Sequence, residues 1–316
     1  MDKIRFGILG PGKISHRFMK GIAFAEDAEV VAVASRDLMK AEAFKSQYGL
    51  RYAYDDYVKM LENPEVDMVY IATIPSMHYE QIMLCLRYHK HVICEKPLLA
   101  DSAAIKECFA YAGSQGLFLM EAQKAPFNYL NQEIKRRLEQ GIIGQVKYIE
   151  AAYCYASFAQ NYEHWVYRRE DGGGMFDVGV YAIAYANMMA GSPLQKIQAM
   201  ADRTPTGCDG FAVAMLEYEN GVKAVVKGAI ELNTENKALI YGTEGYIETV
   251  NFWKNTKATI YRGDTKEDIE IPMPTDFYPE IEAAVSGVKA QLLQSPIMNE
   301  EASLQIMKVL EYVRQV

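Results

Sequence analysis

The pattern of apolar and polar positions changes near the middle of the chain. Over the first part, short apolar and β-branched runs alternate with amphipathic stretches at close intervals. The runs are residues 4–9, 30–34, 68–72, 92–94 and 117–120, and the amphipathic stretches are 14–24, 38–48, 78–88 and 103–115. Buried strands that alternate with helices predict right-handed crossovers and a doubly wound parallel sheet.

After Glu121 the strands follow one another without helices between them. A helical pattern at 130–140 and a long strand at 146–155 precede a second helical pattern at 175–189. The later strands are residues 197–202, 212–218, 222–229, 237–241, 246–250 and 258–261, and helical patterns at 279–293 and 300–314 end the chain. Hairpin-linked strands predict a large, mostly antiparallel sheet with one open face, within an α/β domain.

Length and composition narrow the class of protein. A chain of 316 residues exceeds the usual size of one core, so we expect domains at 1–122 and 123–316, with the last helix packing on either. A net charge of −8 argues against a nucleic-acid surface. No apolar run approaches the roughly 18–20 residues that cross a bilayer. The five scattered cysteines predict buried reduced thiols without a metal site, and we expect a cytoplasmic protein.

A glycine turn follows the first strand. In G-I-L-G-P-G-K-I-S, Gly10 is placed for a tight turn, and Gly12 would let the backbone of Lys13 and Ile14 approach a pyrophosphate at a helix N-terminus. Ser15 replaces the usual third glycine or alanine and is small enough for helix–strand packing. A lone G-x-G can be a purely structural turn. A dinucleotide site is favoured here, because a strand precedes the turn, a helix follows it, and the second strand comes at the expected spacing.

The second strand ends in Ser35-Arg36. An enzyme that uses NAD usually places an acidic residue there to bind the ribose 2′-hydroxyl. A hydroxyl and a guanidinium suit a 2′-phosphate instead, so the pair predicts NADP rather than NAD. The alternative is a solvated arginine on a surface turn.

Two further motifs carry groups suited to proton transfer. Glu95-Lys96-Pro97 interrupts an apolar strand at the edge where doubly wound sheets bind ligands, and a lysine there can act as acid, base or electrostatic clamp. Asp177 and Tyr181 follow three glycines that permit close approach by another backbone or a ligand, and their spacing places them on one helical face. The alternatives are a Lys96–Glu95 pair at a strand end, a capping Asp177 and a Tyr181 in the core.

Together these motifs closely resemble the glucose–fructose oxidoreductase, inositol dehydrogenase and MocA-like (Gfo/Idh/MocA) family. The resemblance spans nearly the whole chain, and Glu-Lys-Pro is its most specific motif; further matching segments are 67–73, 78–80, 121–122, 252–253 and 280–281. It implies an NAD(P)-binding Rossmann domain, then a substrate-binding α/β domain whose open sheet commonly mediates dimerisation. It also implies hydride transfer between nicotinamide C4 and a carbinol or carbonyl carbon, often on a sugar.

The resemblance also implies roles for individual residues. Lys96 matches the family's catalytic lysine and Asp177 its acidic partner, and the cofactor-lining positions are Thr73, Pro75, His78 and Glu95. Many members have histidine where this chain has Tyr181. Tyrosine there is similar to the dihydrodiol dehydrogenase and glucose–fructose oxidoreductase branches, and implies that Tyr181 donates the proton. Its pKa, ordinarily about 10, must then be lowered by a cation, for which Lys96 is the candidate.

The chain departs from the dihydrodiol branch after Glu121-Ala122. That branch usually carries an aromatic residue and an arginine there, whereas this chain has Gln123-Lys124-Ala125-Pro126. We therefore expect a polar substrate rather than a flat one. Candidate substrate contacts are Lys124, Tyr162, Trp165 and Trp253, although each aromatic residue is more often part of a core.

The function that follows is an NADP-dependent dehydrogenase or reductase of a small molecule, with a sugar-like or dihydrodiol-like substrate. We expect a homodimer or a higher homo-oligomer formed through the second sheet. Retention of Lys96, Asp177 and Tyr181 favours this enzyme over a non-catalytic nucleotide-binding regulator of the same fold. A third reading is an oxidation and re-reduction cycle hidden inside a lyase or epimerase.

Overall fold

The computed structural model describes residues 3–156 and 161–316, and its contacts divide the chain into two compact units. The first unit runs to Ala122 and includes Pro274–Glu300. The second comprises Gln123–Met273 and Glu301–Val316.

Strands and helices alternate along the first unit. The strands are β1 (Ile4–Leu9), β2 (Ala28–Ala34), β3 (Tyr52–Tyr54), β4 (Met68–Ile71), β5 (His91–Glu95) and β6 (Leu119–Ala122), and the helices are α1 (Lys13–Ile22), α2 (Leu38–Tyr48), α3 (Tyr57–Leu61), α4 (His78–Arg87) and α5 (Ser102–Ser114). Asp37, Asp56 and Asp101 cap α2, α3 and α5 by accepting backbone N–H groups. The sequence analysis misses β3 and α3, because such short elements show no periodicity.

The six strands of the first unit form a fully parallel sheet in the order β3-β2-β1-β4-β5-β6. The inner strands are buried along their length, which accounts for their continuous apolar sequences. The strand order reverses between β1 and β4, whose register pairs Leu9 with Ile71. The predicted doubly wound sheet is confirmed, and its switch point lies beside the glycine turn.

The second unit contains a larger sheet. Its elements are α6 (Lys124–Phe127), α7 (Tyr129–Glu139), β7 (Val146–Cys154), α8 (Val180–Ala190), β8 (Leu194–Arg203), β9 (Asp209–Tyr218), β10 (Lys223–Ala229), β11 (Lys237–Gly242), β12 (Tyr246–Val250), β13 (Lys257–Arg262) and β14 (Thr265–Glu270). After them come α9 (Tyr278–Lys289), which lies in the first unit, and α10 (Glu300–Gln315), nearly all of which lies in the second.

The strands of this sheet lie in the order β14-β13-β12-β11-β7-β10-β9-β8. β7 pairs with β10 in parallel, and the other recorded pairs are antiparallel. α8 packs against β7 and β10 on one face. The other face carries exposed Met200, Met215 and Val250. The predicted antiparallel character and the open face are both confirmed.

The structure differs from the sequence analysis in two places that affect the site. Residues 175–189, predicted as one helix, are a π-helical turn (Met175–Gly179) followed by α8. Pro274–Glu300 lies in the first unit, although the sequence analysis places it in the second domain. There α9 packs against α1, where Gly21 leaves room for Phe277 and Ile281. Chain order alone does not record which core a helix covers.

No helix in the described parts of the chain is long and apolar enough to cross a membrane. All five cysteines are buried, as predicted.

Candidate active site

The glycine turn of the first unit lies between β1 and α1. Gly10 has φ = +88°, and a side chain there would crowd Thr73 and the carbonyl of Ala72. Gly12 is the N-cap of α1 with φ = −86°, and a Cβ there would meet no protein atom within 4 Å. The protein itself therefore requires glycine at position 10 but not at position 12.

Ser15 closes this turn from inside the helix. Its side chain is fully buried, and its hydroxyl donates a hydrogen bond to the carbonyl oxygen of Gly10 at 2.6 Å. The sequence analysis assigns Ser15 only a small size. The structure adds a bond that holds the strained turn, while exposed Gly12 and Lys13 and half-buried Ile14 form the first turn of α1. That turn has no side-chain cap, so its amides remain suited to an anionic ligand.

Ser35 and Arg36 follow β2 directly. Ser35 is buried, and its hydroxyl oxygen accepts the N–H of Asp37 at 3.2 Å. Asp37 in turn caps α2 through the N–H of Met39. Arg36 is exposed at this strand end. An exposed guanidinium beside a fixed hydroxyl is chemically suited to a phosphate.

The loop after β4 is fastened by His78. This ring is fully buried, with Nδ1 3.1 Å from the carbonyl oxygens of Pro97 and Leu98 and Nε2 3.3 Å from that of Thr73. Burial lowers the pKa of His78, which favours the neutral ring. A neutral ring has one N–H, and with that proton on Nδ1 it donates to the loop after β5 and joins this loop to the start of α4. The ring is fully buried and leaves no surface for a ligand. Thr73 is half-buried and donates to Gln81, and Pro75 is buried in the short 3-10 turn that precedes α4.

Glu95 and Lys96 lie at the carboxyl end of β5. The Glu95 carboxylate is buried and accepts the hydroxyl of Tyr70 at 2.5 Å, and it also accepts the backbone N–H of Lys96 at 3.3 Å. The ring of Tyr70 stacks on Phe18 of α1, with centroids 4.0 Å apart. Lys96 is half-buried. Glu95 thus ties the strand end to the core, and Lys96 is held by its backbone at the edge of the sheet.

In the second unit, Tyr181 lies in the first turn of α8 and is 5% exposed. Three side chains from other elements surround its ring. The Lys124 ammonium lies 5.4 Å from the ring centre, and the rings of Tyr153 and Trp253 lie at 5.8 and 6.5 Å. Tyr153 and Trp253 stack on each other at 3.6 Å, nearly parallel. The structure therefore joins Tyr181 to two of the predicted substrate residues, Lys124 and Trp253.

Asp177 lies in the π-helical turn and is half-buried. One of its carboxylate oxygens accepts the hydroxyl of Tyr155 at 2.7 Å. Burial, and then the negative charge of Asp177, raises the pKa of Tyr155 well above its ordinary value. Tyr155 therefore remains a protonated donor to this carboxylate.

The π-helical turn packs closely on the end of β10. A side chain at Gly174 would approach the backbone of Gly228 and Ala229 within 2.8 Å. Asp209, almost fully buried at the start of β9, accepts the N–H of Met175 at 2.6 Å. Burial raises the pKa of Asp209 to about 6. The segment that carries Asp177 is thus fixed by backbone packing and by a buried carboxyl.

Buried amides position Trp253. The side-chain amide of Asn131 donates to the carbonyl oxygens of Ala125 and Phe252 at 2.8 and 2.7 Å. The amide of Asn255 donates to Asn131 at 3.1 Å and that of Asn128 donates to the carbonyl of Asn255 at 2.9 Å. The network fastens the loop that carries Trp253 to α6 and α7, which follow Gln123.

The other two predicted substrate residues belong to a different cluster. Trp165 begins a 3-10 turn, and Tyr162 contacts Tyr167 at 5.0 Å between ring centres. Both are half-buried and pack around Val166, Cys208 and Ile230, where they are joined by Tyr155. The described contacts place them beside Tyr155 rather than beside Tyr181.

Sequence reasoning misses Tyr153, Tyr155 and Asp209. One signal was present: Tyr153 and Tyr155 are two residues apart at the end of a strand, so their side chains share a face. Which face they share depends on the burial of Ile149 and Ala151 under α8. No local pattern distinguishes Asp209 from an ordinary strand-end carboxylate.

Comparisons with known proteins match both units. The model of the oxidoreductase family with an NAD-binding Rossmann fold matches residues 4–123, and that of the GFO/IDH/MocA C-terminal domain matches residues 131–248. Trans-1,2-dihydrobenzene-1,2-diol dehydrogenase from Mus musculus is 33% identical over 268 residues, which are 84% of this chain and 79% of the relative. The Homo sapiens protein of the same name is 30% identical, with 99% of this chain and 96% of the relative covered.

Among solved structures, a 3-ketoreductase from Actinomadura kijaniata in complex with NADP and TDP-benzene superposes with a TM-score of 0.90. It is 26% identical, and the match covers 99% of this chain and 98% of that one. An aldose-aldose oxidoreductase from Caulobacter crescentus superposes equally well at 22% identity and supports the fold alone.

Proposed function

This chain belongs to the Gfo/Idh/MocA oxidoreductase family, and we propose that it is an NADP-dependent dehydrogenase or reductase acting on CH–OH groups. The reaction is hydride transfer between nicotinamide C4 and a carbinol or carbonyl carbon of a sugar-like or dihydrodiol-like substrate. The observation that carries the proposal is the setting of Tyr181, a buried phenol with a lysine ammonium 5.4 Å from its ring centre. The names of the relatives, which act on a diol or as a 3-ketoreductase, support the class of substrate.

The residues of the first unit fit a dinucleotide phosphate. The uncapped first turn of α1, with Gly12, Lys13 and Ile14, would hold the pyrophosphate. Ser35 and Arg36 would hold the 2′-phosphate, which favours NADP over NAD. The loops after β4 and β5, with Thr73, Pro75 and Glu95, would line the nicotinamide end, and His78 would fix those loops from beneath. When bound, NADPH supplies the hydride.

The protein supplies the proton and the orientation. In the reductive direction Tyr181 donates its hydroxyl proton to the carbonyl oxygen, and an adjacent cation stabilises the resulting phenolate. Lys96 is the cation that the family resemblance assigns, and Lys124 is a second one within the same unit as Tyr181. Asp177 binds a substrate hydroxyl. The 3-ketoreductase has also been solved with single substitutions of a lysine and of a tyrosine, the residue types assigned here.

The walls around Tyr181 favour a polyhydroxylated substrate. Tyr153 and Trp253 form an aromatic surface that can pack against the C–H face of a sugar ring. Lys124 and Asp177 provide a donor and an acceptor for hydroxyl groups. An aromatic surface is therefore retained although the position after Gln123 is a lysine.

The activity test is NADPH oxidation across ketoses, osones, diketones and sugar lactones. With an accepted substrate, Lys96→Met and Tyr181→Phe should each lower kcat by about 10²–10⁴-fold, the usual contribution of general acid–base catalysis. The double variant should lose little more than the worse single one. Tyr185→Phe is the matched control, because Tyr185 lies one turn along α8 and its buried hydroxyl has no partner among the described residues. Unchanged single-turnover rates in both single variants would instead favour the non-catalytic regulator.

Cofactor choice is tested by binding. Wild-type protein should bind NADPH more tightly than NADH, and Arg36→Ala should remove most of the difference, because the guanidinium is lost from the 2′-phosphate. Lys40→Ala is the control, since it removes an equal exposed charge at the start of α2. Equal dissociation constants for the two cofactors in the wild type would contradict the proposal.

We propose in addition that two copies associate through the open sheet face. Met200 and Met215 are 75% and 53% exposed there, on β8 and β9. Further along the same sheet, on β12 and β13, the rings of Tyr246 and Tyr261 stack at 4.4 Å. An exposed apolar face of this kind usually marks an interface. Sedimentation should give at least twice the monomer mass of 35.7 kDa, and Met215→Lys should reduce it towards the monomer. A wild-type mass near 36 kDa at micromolar concentration would refute this.

A further inference from the structure

We propose that Tyr155 is a positioning residue for Asp177, which it orients for substrate binding. The inference rests on the proposed function, because it gives the carboxylate of Asp177 a role toward substrate. It assigns to Tyr155 a part in the reaction that neither the sequence motifs nor the family resemblance indicates.

Tyr155 and Asp177 are held against the same strand end. Tyr155 follows β7 immediately, and its backbone N–H donates to the carbonyl of Ala229 at the end of β10 at 3.0 Å. The π-helical turn that carries Asp177 packs on the same strand end through Gly174 and Gly179. Donor and acceptor are therefore both held against one rigid strand end. Their separation of 2.7 Å is that of a well-formed O–H···O bond.

Burial fixes Tyr155 as the donor of this bond. The side chain of Tyr155 lies in the cluster around Val166, Cys208 and Ile230, and burial there is the main reason why its pKa is raised. A phenol that stays protonated can only donate to the carboxylate. Asp177, which is half-buried, thereby gains a fixed donor that solvent would supply less directionally.

The end of β7 also positions the aromatic surface beside Tyr181. Tyr153 lies at the end of β7 and Tyr155 directly after it, two residues apart, so that their side chains project to the same side. Tyr153 stacks on Trp253 and approaches Tyr181, while Tyr155 bonds to Asp177. One strand end therefore sets the aromatic surface and the carboxylate together. A substrate bound against this surface would meet Asp177 at a distance fixed by the pleat of β7.

The test compares Tyr155→Phe with Tyr218→Phe. Tyr218 is a buried tyrosine of the same sheet whose hydroxyl donates to Asn187 at 2.8 Å, so its variant loses a comparable bond remote from Asp177. The carboxyl-carbon NMR signal of Asp177, assigned from an Asp177→Asn spectrum, should change its chemical shift in Tyr155→Phe, because the hydrogen bond is lost. It should be unchanged in Tyr218→Phe. KM for the accepted substrate should rise about tenfold in Tyr155→Phe, with NADPH affinity unchanged.

Each result decides a separate question. An unchanged Asp177 carboxyl signal in folded Tyr155→Phe protein overturns the proposal, because no hydrogen bond has then been lost. A changed signal without any change in KM makes the bond structural only, and equally overturns it. Absence of turnover in wild type with every substrate contradicts the proposed function and thus any role of Tyr155 in it, while the NMR spectra still report whether the pair exists.

Discussion

Each unit places a short glycine-rich segment at the start of a helical turn, and the two segments use glycine for opposite reasons. In the first, Gly10 is required by its positive φ, whereas a side chain at Gly12 would point into open space. In the second, a side chain at Gly172 would overlap the carbonyl of Val166, and one at Gly174 would strike β10. The first segment keeps a surface open, and the second packs the π-helical turn against its own sheet.

The difference decides between two alternatives. Residues 172–174 are expected to permit close approach by another backbone or a ligand, and the contacts at Gly172 and Gly174 are with backbone of the protein's own chain. Gly173 adopts φ = +112° beside the carboxylate of Asp209, which leaves no room for a Cβ. Glycine spacing alone therefore identifies positions without room for a side chain, but not which atoms fill the space.

The largest expected effect is on the packed segment. Gly174→Ala should lower the free energy of unfolding of the second unit by at least about 3 kcal/mol, because its Cβ would strike the backbone of a central strand that cannot move aside. Urea unfolding measures the change. Gly113→Ala, inside α5 with no atom near its Cβ, is the control and should be neutral or stabilising by up to about 1 kcal/mol. Equal stability of Gly174→Ala and wild type would contradict the close packing of this segment on β10.

Asp209 holds the same segment and makes its stability depend on pH. Its pKa of about 6 in the folded protein exceeds the ordinary 3.8, so the folded state binds the proton more tightly. The contribution of Asp209 to the free energy of unfolding is fully present below about pH 4. It is lost as pH rises through 6, by roughly 3 kcal/mol in total.

Asp209→Asn keeps an oxygen that can accept the Met175 N–H but cannot ionise. Its unfolding free energy, measured by urea titration between pH 4 and 7, should therefore fall less steeply with rising pH than that of the wild type. Parallel curves for the two proteins would show that the carboxyl does not titrate in this range.

A substitution at Gly12, in the segment of the first unit, should change cofactor binding rather than stability. Gly12→Val should weaken NADPH binding at least tenfold, about 1.4 kcal/mol, because its side chain would occupy the space beside the first turn of α1. The thermal midpoint should stay close to that of the wild type, since no atom of the described residues lies within 4 Å of a Cβ at this position. Unchanged affinity by fluorescence quenching would mean that the pyrophosphate is held elsewhere.

The smallest effect is expected at Ser15. Ser15→Ala removes the hydrogen bond to Gly10 but fits the same space, so stability should fall by only about 1 kcal/mol. Cofactor affinity should fall by less than in Gly12→Val, because the turn is loosened and not blocked. If Ser15→Ala loses more affinity for NADPH than Gly12→Val does, the hydrogen bond to Gly10 matters more for binding than the open space beside Gly12.

The sequence by itself determined the features that depend on neighbours along the chain. Apolar runs specified the buried parallel strands, and alternation specified a sheet with one covered face. The strand–glycine turn–helix order placed Gly10 and Gly12, because a turn and the helix that follows it are local structures. Local patterns also identified Lys96, Asp177 and Tyr181 as candidates.

Tertiary structure alone decided which side chains meet. Tyr153 and Tyr155 reach Trp253 and Asp177 only because the register of β7 and β10 brings a strand end under α8 and the π-helical turn. Lys124 meets the ring of Tyr181 across more than fifty residues of chain. The transfer of Pro274–Glu300 to the first unit has the same origin. Hydrophobic burial is non-directional, so a local pattern records that a face is covered but not which distant residues cover it.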